Sequence, residues 1–395
     1  MTLPTGWHRS TLGAIARISS GGTPDRAEPS YWGGEVPWVT TGEIRFNTIT
    51  ATTEKITEAG LKNSSAKLFP PGTLLMAMYG QGKTRGQVAK LGIEAATNQA
   101  CAAILLHETH EADFYFQYLS SQYEAVRELG NAGTQQNLSG GILKEVPVPV
   151  PPLSEQRRIA RVLSTWDQAI ATTARLLANS RKQKQALMHR LMSPTHATEK
   201  SWKTFRLGEL FSERNENARD DLSLLSITRD EGVIPRGEVG RKDTSNEDKS
   251  KYLRICVGDI GYNTMRMWQG VSALSTIEGI VSPAYTIVTP NDRVCGRFAA
   301  YLFKLQKVVF LFYRNSQGLV SDTWNLKFPY FAQISVSIPN VDEQKRIVQV
   351  LEMADKSIFS LTVQLEKLRE EKSALMAQLL TGKRRVRLPE PETAA

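Results

Sequence analysis

A short stretch of the sequence, MAMYGQGKTRG at 76–86, has the residue types and spacing of a loop that binds phosphate. A small residue is followed, after four positions, by Gly-Lys-Thr at 82–84, which is a loose form of the loop that holds nucleotide triphosphates. Such a loop needs a helix directly after Lys-Thr, because the N–H groups of the helix N-terminus face the phosphates. Here Gly86 interrupts the first turn, and QVAKLGI at 87–93 is typical of a strand. The stretch therefore favours contact with another kind of phosphate. A P-loop NTPase is the alternative, and ATP binding that is lost in Lys83→Ala would support it.

Two further motifs contain residue types that could do chemistry. DEQK at 342–345 has the Glu-x-Lys of a nuclease, but it opens a helix, lacks an upstream Pro-Asp in range and becomes Glu-x-Arg at 155–157. HETH at 107–110 lacks the i, i+4 histidine pair of a zinc-binding helix. The sequence has no Asn-Pro-Pro-aromatic run of the kind amino-methyltransferases use, and no glycine-rich dinucleotide fingerprint. We therefore expect no catalytic site and no metal site in this chain.

The composition favours a nucleic-acid partner. The chain has 395 residues, 41% of them hydrophobic, which suits two or three domains with their own cores. Its 49 Lys and Arg against 40 Asp and Glu give a formal net charge of +9, and such a surplus favours a polyanion. Three widely separated cysteines, no apolar signal segment and apolar runs too short to span a bilayer predict a soluble protein of the cytoplasm.

The chain also repeats itself. PPLSEQRRIARVLSTWDQAI from 151 matches PNVDEQKRIVQVLEMADKSI from 339 at an offset of 188 residues, without a gap. The match continues as far as Leu191 in the first copy and Leu379 in the second. Two copies of one segment predict two similar elements in the fold.

Both copies are predicted to be long helices that pack against each other. Each follows a Pro-containing stretch and begins with a capping residue, Ser154 or Asp342. Apolar residues then recur at steps of four and three, which is typical of a coiled-coil seam, interrupted in the second copy only at Lys372. A seam needs a partner, and the simplest partner is the other copy. The seam consists of Ile159, Leu163, Trp166, Ile170, Leu177, Leu187 and Leu191, and of Ile347, Leu351, Ile358, Leu361, Leu365, Leu368, Leu375 and Leu379.

The segments before the two helices are related more faintly. FPPGTLLMAMYGQG at 69–82 corresponds to VGDIGYNTMRMWQG at 257–270, and in both a turn and a strand lead to a polar, glycine-containing loop. The globular halves have therefore diverged while the helices have not. This contrast indicates two sites of one kind that read two different targets.

This layout resembles the specificity subunit of a type I restriction–modification system. The resemblance rests on ISSGGTPDRAEPSYWGGEVPWVTTGEI from 18, on the helix openings LSEQRRIARVL and DEQKRIVQVL, and on YNTMRMWQGVSALSTIEGIVSPAYTIV from 262. It covers nearly the whole chain up to residue 382. It implies an α+β fold, in which two related α/β target recognition domains are separated by two long antiparallel coiled-coil helices with a pseudo-two-fold internal repeat.

The resemblance also implies domains and partners. Each recognition domain would read one half of a bipartite, asymmetric target in double-stranded DNA, and the chain itself would be non-catalytic. It would dock two adenine-methyltransferase (M) subunits and two restriction (R) subunits, which use S-adenosylmethionine, ATP and Mg²⁺. A coiled-coil scaffold that reads no DNA is a further alternative. The implied segments are 1–150 for recognition domain 1, 151–195 for the first helix, 196–338 for recognition domain 2, 339–382 for the second helix and 383–395 for a basic flexible tail.

We expect the DNA contacts in loops that combine Gly with basic, amide and aromatic side chains. Cations and backbone amides bind phosphates, Arg reads guanine, and Asn and Gln read adenine. Gly lets the backbone approach closely. The candidate residues are Gly22, Thr23, Thr41, Tyr79, Gln81, Lys83, Thr84, Arg85, Asn98, Gln99, Gln135 and Gln136 in the first half, and Arg229, Asn263, Arg266, Trp268, Gln269, Arg314 and Gln317 in the second.

The helix copies carry basic residues as well. Eight basic and two acidic residues lie between 154 and 193, and KRRVR at 383–387 adds a second basic cluster. These cations are predicted to meet either the DNA backbone between the half-sites or an acidic partner surface, and a solvated face is the alternative.

Overall fold

The computed structural model describes residues 3–80, 82–131, 137–194, 201–217, 221–238, 248–320 and 323–386. The chain divides into two compact units. Unit 1 comprises Met1–Ala174 and Val363–Ala395, and unit 2 comprises Arg175–Thr362. Each unit therefore contains one globular part and one segment from each of the two long helices.

The globular part of unit 1 is built on two sheets. Its elements are β1 (His8–Thr11), α1 (Leu12–Ile15), β2 (Ala16–Ser20), β3 (Trp32–Val39), β4 (Thr48–Ile49), β5 (Glu54–Ile56), α2 (Glu58–Lys62), β6 (Leu68–Phe69), β7 (Leu74–Ala77), β8 (Val88–Leu91), β9 (Ala95–Thr97), β10 (Cys101–Leu106), α3 (Ala112–Ser121), α4 (Tyr123–Glu128), α5 (Gly140–Lys144), β11 (Pro147–Val150) and α6 (Leu153–Leu191). The larger sheet has the order β2-β10-β7-β8-β4, the second has the order β5-β3-β9-β6, and β1 pairs with β11.

The central strands of the larger sheet are apolar on both faces because both faces are covered. All four residues of β7 and the first four of β10 are buried, as expected for central strands covered on both sides. On one face they pack against α3, α6 and the end of the second long helix, in a cluster that includes Phe114, Ile159 and Leu379. On the other face Leu75 and Cys101 pack in a second cluster with Phe69 of the smaller sheet. This sandwich fixes the sheet edge on which the candidate loops lie.

Unit 2 is built around one four-stranded sheet. Its elements are β12 (Lys203–Arg206), β13 (Phe211–Glu213), β14 (Leu225–Ile227), β15 (Val233–Pro235), β16 (Leu253–Ile255), β17 (Ile260–Asn263), β18 (Ser272–Leu274), β19 (Gly279–Val281), β20 (Tyr285–Pro290), α7 (Gly296–Leu302), α8 (Gln306–Asn315), α9 (Phe328–Phe331), β21 (Ser335–Ile338) and α10 (Val341–Leu379). The sheet has the order β13-β20-β17-β18 and is accompanied by the pairs β14-β15, β16-β19 and β12-β21. The aromatic core contains Phe298, Phe303, Phe312 and Phe331, together with Leu351 of the second long helix.

The repeat found in the sequence reappears as two helices of equal length. Helices α6 and α10 each contain 39 residues, and both their first and their last residues differ by the repeat offset of 188. The predicted caps were placed too late, because the helices begin at Leu153 and Val341. In α10 the side-chain oxygen of Asn340 accepts a hydrogen bond from the Glu343 N–H at 2.9 Å, so Asn340 is the capping residue rather than Asp342.

The two helices run antiparallel within each unit and are joined by equivalent ion pairs. In unit 1 the Lys372 Nζ lies 2.6 Å from Asp167 Oδ1. In unit 2 the matching residues, Lys184 and Asp355, form the same pair. The predicted seam residues are buried or half-buried in both segments. Lys372 interrupts the apolar seam because its ammonium group pairs with a carboxylate of the facing helix.

A buried glutamine connects each long helix to its globular part. The side-chain oxygen of Gln156 accepts from the Glu111 N–H at 2.9 Å, and that of its repeat Gln344 accepts from the Cys295 N–H at 2.8 Å. Glu111 and Cys295 are the residues just before α3 and α7. Their N–H groups have no partner within those helices, and the glutamines supply one. The Gln of both helix openings therefore has a structural role.

Candidate nucleic-acid interface

In unit 1 the strand pairing brings three candidate loops to one edge of the larger sheet. Strand β10 is antiparallel to both β2 and β7, with Ala102 opposite Met76 and Ser20, and Cys101 opposite Ala77. The ends of β2 and β7 therefore meet the start of β10 at the same edge. The loops that follow β2 and β7 and the loop that precedes β10 all begin there.

These loops, together with α5, line a polar cleft of about 450 Å³. Its lining includes Ser19, Ser20, Tyr79, Gln99 and Lys144. The Thr23 hydroxyl donates to the Gln99 side-chain oxygen. The structure therefore brings Thr23, Tyr79 and Gln99 to one place.

Thr41 and Asn98 lie near each other at an edge of the smaller sheet. Strands β3 and β9 are parallel, with Val39 beside Thr97, so the residues that follow each strand are neighbours. The Asn98 N–H donates to the Val39 carbonyl at 3.0 Å. Both side chains are half-buried.

The 78–87 loop does not have the geometry of a nucleotide-triphosphate loop. Gly80, Gly82 and Gly86 have φ of 137°, 79° and 84°, which a residue with a side chain rarely adopts. A turn follows Lys83 and leads into β8, as the sequence predicted, and no helix N-terminus faces the loop in the described stretch 82–91. Tyr79, Gly82 and Lys83 are exposed, and Thr84 is half-buried.

Two candidates of unit 1 are buried. Arg85 is 6% exposed, and its guanidinium lies beside Gly130. It would have to leave this place to reach a base edge. Gly22 is buried too, and its carbonyl accepts from the Trp38 indole N–H at 3.0 Å. Three other candidates, Gln81, Gln135 and Gln136, lie outside the described residues.

In unit 2 the loop at 264–271, between β17 and β18, corresponds to the 78–87 loop. The Trp268 indole N–H donates to the Met265 carbonyl at 3.0 Å, and the Asn263 side-chain oxygen accepts from the Met265 N–H at 3.0 Å. These bonds fold the loop upon itself, so Asn263 and the Trp268 N–H are partly used within it. Arg266 is exposed, whereas Trp268 is half-buried.

A second loop of unit 2 packs against the 264–271 loop. Gln317 and Asn325 form a β-bridge, and the Leu326 N–H donates to the Thr264 carbonyl at 2.8 Å. The Trp324 ring makes an edge contact with Trp268, at a centroid distance of 5.2 Å. The exposed side chain of Gln317 is therefore carried on a segment that is attached to the 264–271 loop. Arg314, which is also exposed, lies in the last turn of α8 just before this segment.

Arg229 and Gln269 line one cleft of about 660 Å³ in unit 2, together with Lys304. Lys304 is half-buried, and burial lowers the pKa of its ammonium group to about 8. Sequence reasoning did not single out Lys304, or Tyr123 and Arg127 of unit 1. All three contact the backbone of the candidate loops, but they lie in or beside helices and belong to no motif.

Several arginines are held by carboxylates of their own unit. Arg26 forms two hydrogen bonds with Glu54, at 2.7 and 2.9 Å, and stacks on Trp32. The hydrogen bonds from Arg26 hold the pKa of Glu54 below its usual value. Arg214 pairs with Asp259 at 2.7 Å in the same way. These cations are structural, in contrast to the exposed Lys83, Arg229, Arg266 and Arg314.

Neither a metal-binding cluster nor a membrane-spanning helix is found among the residues that the structure describes. No group of three or more His, Cys, Asp or Glu side chains there could hold a metal ion. No helix in those ranges is long and apolar enough to cross a membrane.

Comparison with known proteins identifies relatives of both halves. Residues 4–179 and 199–369 match the family described as the type I restriction modification DNA specificity domain. The MjaIX specificity subunit of a type I restriction enzyme from Methanocaldococcus jannaschii is 30% identical over 190 residues, which are 47% of this chain and 42% of that protein. The MjaVIII specificity subunit from the same organism is 22% identical over 98% of this chain and 95% of that protein.

A solved structure has the same fold. The crystal structure of a type I restriction–modification S subunit from M. genitalium superposes with a TM-score of 0.62, at 16% sequence identity. The superposition covers 96% of this chain and 98% of the other.

Proposed function

The chain belongs to the type I restriction modification DNA specificity family, and we propose that each of its globular parts reads one half of a bipartite, asymmetric DNA target. The observation that carries this proposal is the same arrangement built twice with different side chains. In each unit a loop leaves a strand of the central sheet, at 78–87 and at 264–271. The first loop presents Tyr79 and Lys83, and the second presents Arg266.

The candidate residues divide into two kinds of contact. Lys83 and the glycine-rich backbone around it suit phosphate oxygens, which position the protein without reading sequence. Arg266 and Gln99 suit guanine and adenine edges in the major groove. We assign Thr23, Asn98 and Gln99 to the reading surface of unit 1, and Arg229, Gln269, Arg314 and Gln317 to that of unit 2.

We further propose that the long helices dock methyltransferase subunits and set the unread distance between the half-sites. Met353 and Phe359 of helix α10 are each 71% exposed, which leaves both apolar side chains accessible to a protein partner. The proposed partners are double-stranded DNA, two methyltransferase subunits that bring S-adenosylmethionine, and two restriction subunits that use ATP and Mg²⁺. In this assembly the chain described here performs no chemistry.

Selection from a randomised duplex library by the complex with its methyltransferase subunits tests the proposal. We expect the selected duplexes to share two different conserved blocks at a constant separation. The logarithm of the association constant should fall linearly with the logarithm of the salt concentration, with a slope of about −0.9 per neutralised phosphate. A single continuous block, or no shared sequence, would contradict the proposal.

Arg266→Ala refines this test. It should cost about 1–3 kcal/mol of discrimination at one base pair of one block. Arg293→Ala is the matched control, because Arg293 is also exposed but follows the far end of β20, away from the 264–271 loop. An equal effect of Arg266→Ala on both blocks would contradict the assignment of one block to each unit.

A further inference from the structure

A single ammonium group joins two of the candidate segments of unit 2, the turn that carries Arg229 and the 264–271 loop. Lys304 lies in the turn between α7 and α8. Its Nζ donates to the Gly270 and Ser272 carbonyls at 2.8 Å each, and to the Arg229 carbonyl at 3.1 Å. The first two acceptors stand at the end of the 264–271 loop, and the third belongs to the turn that carries Arg229. The structure thus joins two segments that are distant in sequence through one side chain.

These three contacts exclude a direct role of Lys304 on DNA in this arrangement. An ammonium group has three N–H donors and no acceptor, and three carbonyls take them all. A lysine that binds phosphate acts instead as an exposed point charge, whereas Lys304 is half-buried. Its donors are directed at backbone oxygens, so its effect is on the shape of the loops.

Unit 1 holds its corresponding loop in the same manner but with other residues. From α4, the Tyr123 hydroxyl donates to the Lys83 carbonyl, and the Arg127 guanidinium donates to the Gly82 carbonyl. Arg127 also donates to the Tyr123 hydroxyl at 3.4 Å. In both units, side chains from the helical pair that follows the sheet therefore bind carbonyls of the loop that leaves it.

We propose that Lys304 is a positioning residue that determines how strictly unit 2 discriminates its half-site, and that Tyr123 with Arg127 does the same for unit 1. The proposal rests on the proposed function, because it deepens the account of the same reading loops. Reading a base edge requires the loop side chains to be held in one geometry. The hydrogen bonds from Lys304, Tyr123 and Arg127 to the loop carbonyls, which we call the clamp, hold the loop in that geometry without contacting the nucleic acid.

Hydrogen exchange of the full-length chain tests the clamp without DNA. Lys304→Met keeps the stem and removes the three donors, so amides at 228–232 and 264–272 should exchange at least several-fold faster, with peptides of unit 1 unchanged. Lys307→Met is the matched control, because its Nζ donates to Met192 O at 3.0 Å and Ser193 Oγ at 3.1 Å, away from both loops. Unchanged exchange at these loops in Lys304→Met would overturn the clamp.

Binding by the methyltransferase complex tests the consequence for recognition. Lys304→Met should reduce discrimination against substitutions in one half-site about tenfold, within the range of one base contact, and leave the other half-site and the salt slope unchanged. Tyr123→Phe, which removes the donor to Lys83 O, should affect the opposite half-site. If the salt slope of Lys304→Met were smaller in magnitude by about 0.9, Lys304 would contact a phosphate directly, and the proposal would be overturned. Equal loss at both half-sites would do the same.

The two proposals fail in different ways. If the wild-type complex binds all duplexes alike, the proposed function fails, and the exchange measurement still decides the clamp. If the wild type discriminates and Lys304→Met discriminates equally well, only the inference about Lys304 fails.

Discussion

Neighbouring cations in the first loop differ in what they can reach. Lys83 and Arg85 are two positions apart, and both suit nucleic acid by residue type. Lys83 is exposed, whereas Arg85 is 6% exposed beside Gly130. Spacing located the loop, but it could not show the direction of each side chain, because glycines with positive φ on both sides turn the backbone between them.

Substitution of each cation separates these roles. Lys83→Ala should weaken binding to all duplexes alike and lower the salt slope by about 0.9, since one phosphate contact is lost. Arg85→Ala should mainly lower the free energy of unfolding, by about 0.5–3 kcal/mol, because loss of the buried side chain leaves a cavity beside Gly130. Titration at several salt concentrations and urea unfolding measure the two effects. A lower salt slope in Arg85→Ala with unchanged stability would reverse the assignment.

The titration of Lys304 gives a prediction for stability against pH. Burial lowers its folded-state pKa from 10.5 to about 8, so between these values the unfolded chain binds more protons than the folded protein. The contribution of Lys304 to the free energy of unfolding therefore rises with pH across this window. The charge of Asp230 raises the pKa of Lys304, against the effect of burial, whereas the charge of Arg229 lowers it further. The other titratable groups that line the same cleft are Lys184, Tyr301 and Asp355.

The free energy of unfolding is compared between the wild type and Lys304→Met, because the contributions of the other titrating groups cancel in the difference. The free energy of unfolding of the wild type minus that of the variant should be larger, in the positive direction, at pH 9.5 than at pH 7.5. Urea unfolding at the two pH values measures it. A difference that is constant or moves the other way would show that the Lys304 pKa is not lowered.

At the scale of elements, the long helices were the most predictable part of the chain. Their apolar period specified the seam, and the gapless repeat predicted two similar long helices, which are α6 and α10 with 39 residues each. The capping residues were misplaced, because Asn340 is as good a cap as Asp342 and only the backbone decides between them. The role of Gln156 and Gln344 was not foreseen, since a glutamine in a helix carries no sign of its tertiary partner.

The link between the second helix and its globular part is predicted to depend on Gln344. Its amide accepts from the Cys295 N–H and donates to the Arg293 and Pro339 carbonyls, and it is fully buried. Gln344→Ala should therefore lower the free energy of unfolding by about 1–3 kcal/mol, because these groups lose their partner in a buried place. Gln349→Ala, an exposed position of the same helix, is the control. Equal unfolding midpoints for the two variants would contradict the role of Gln344.

The whole molecule contains an internal repeat, in which the two long helices are similar in sequence and the two globular parts differ. The equivalent Asp–Lys pairs between helix segments, Asp167 with Lys372 and Asp355 with Lys184, reproduce one arrangement in both units. The two candidate loops share their place after a strand of the central sheet, but their side chains differ. The sequence alone located the loops from glycine and charge, but the clamps behind them depend on tertiary contacts that no local pattern specifies.

Methylation mapping of an exchanged chain tests the central claim most directly. Residues 196–338 would be replaced by the corresponding part of a relative with a different target, and DNA modified by the complex would be read by single-molecule sequencing. The account predicts that one half of the methylated motif changes, while the other half and the separation between them stay as they were. A motif that changes in both halves, or is no longer split, would contradict the account.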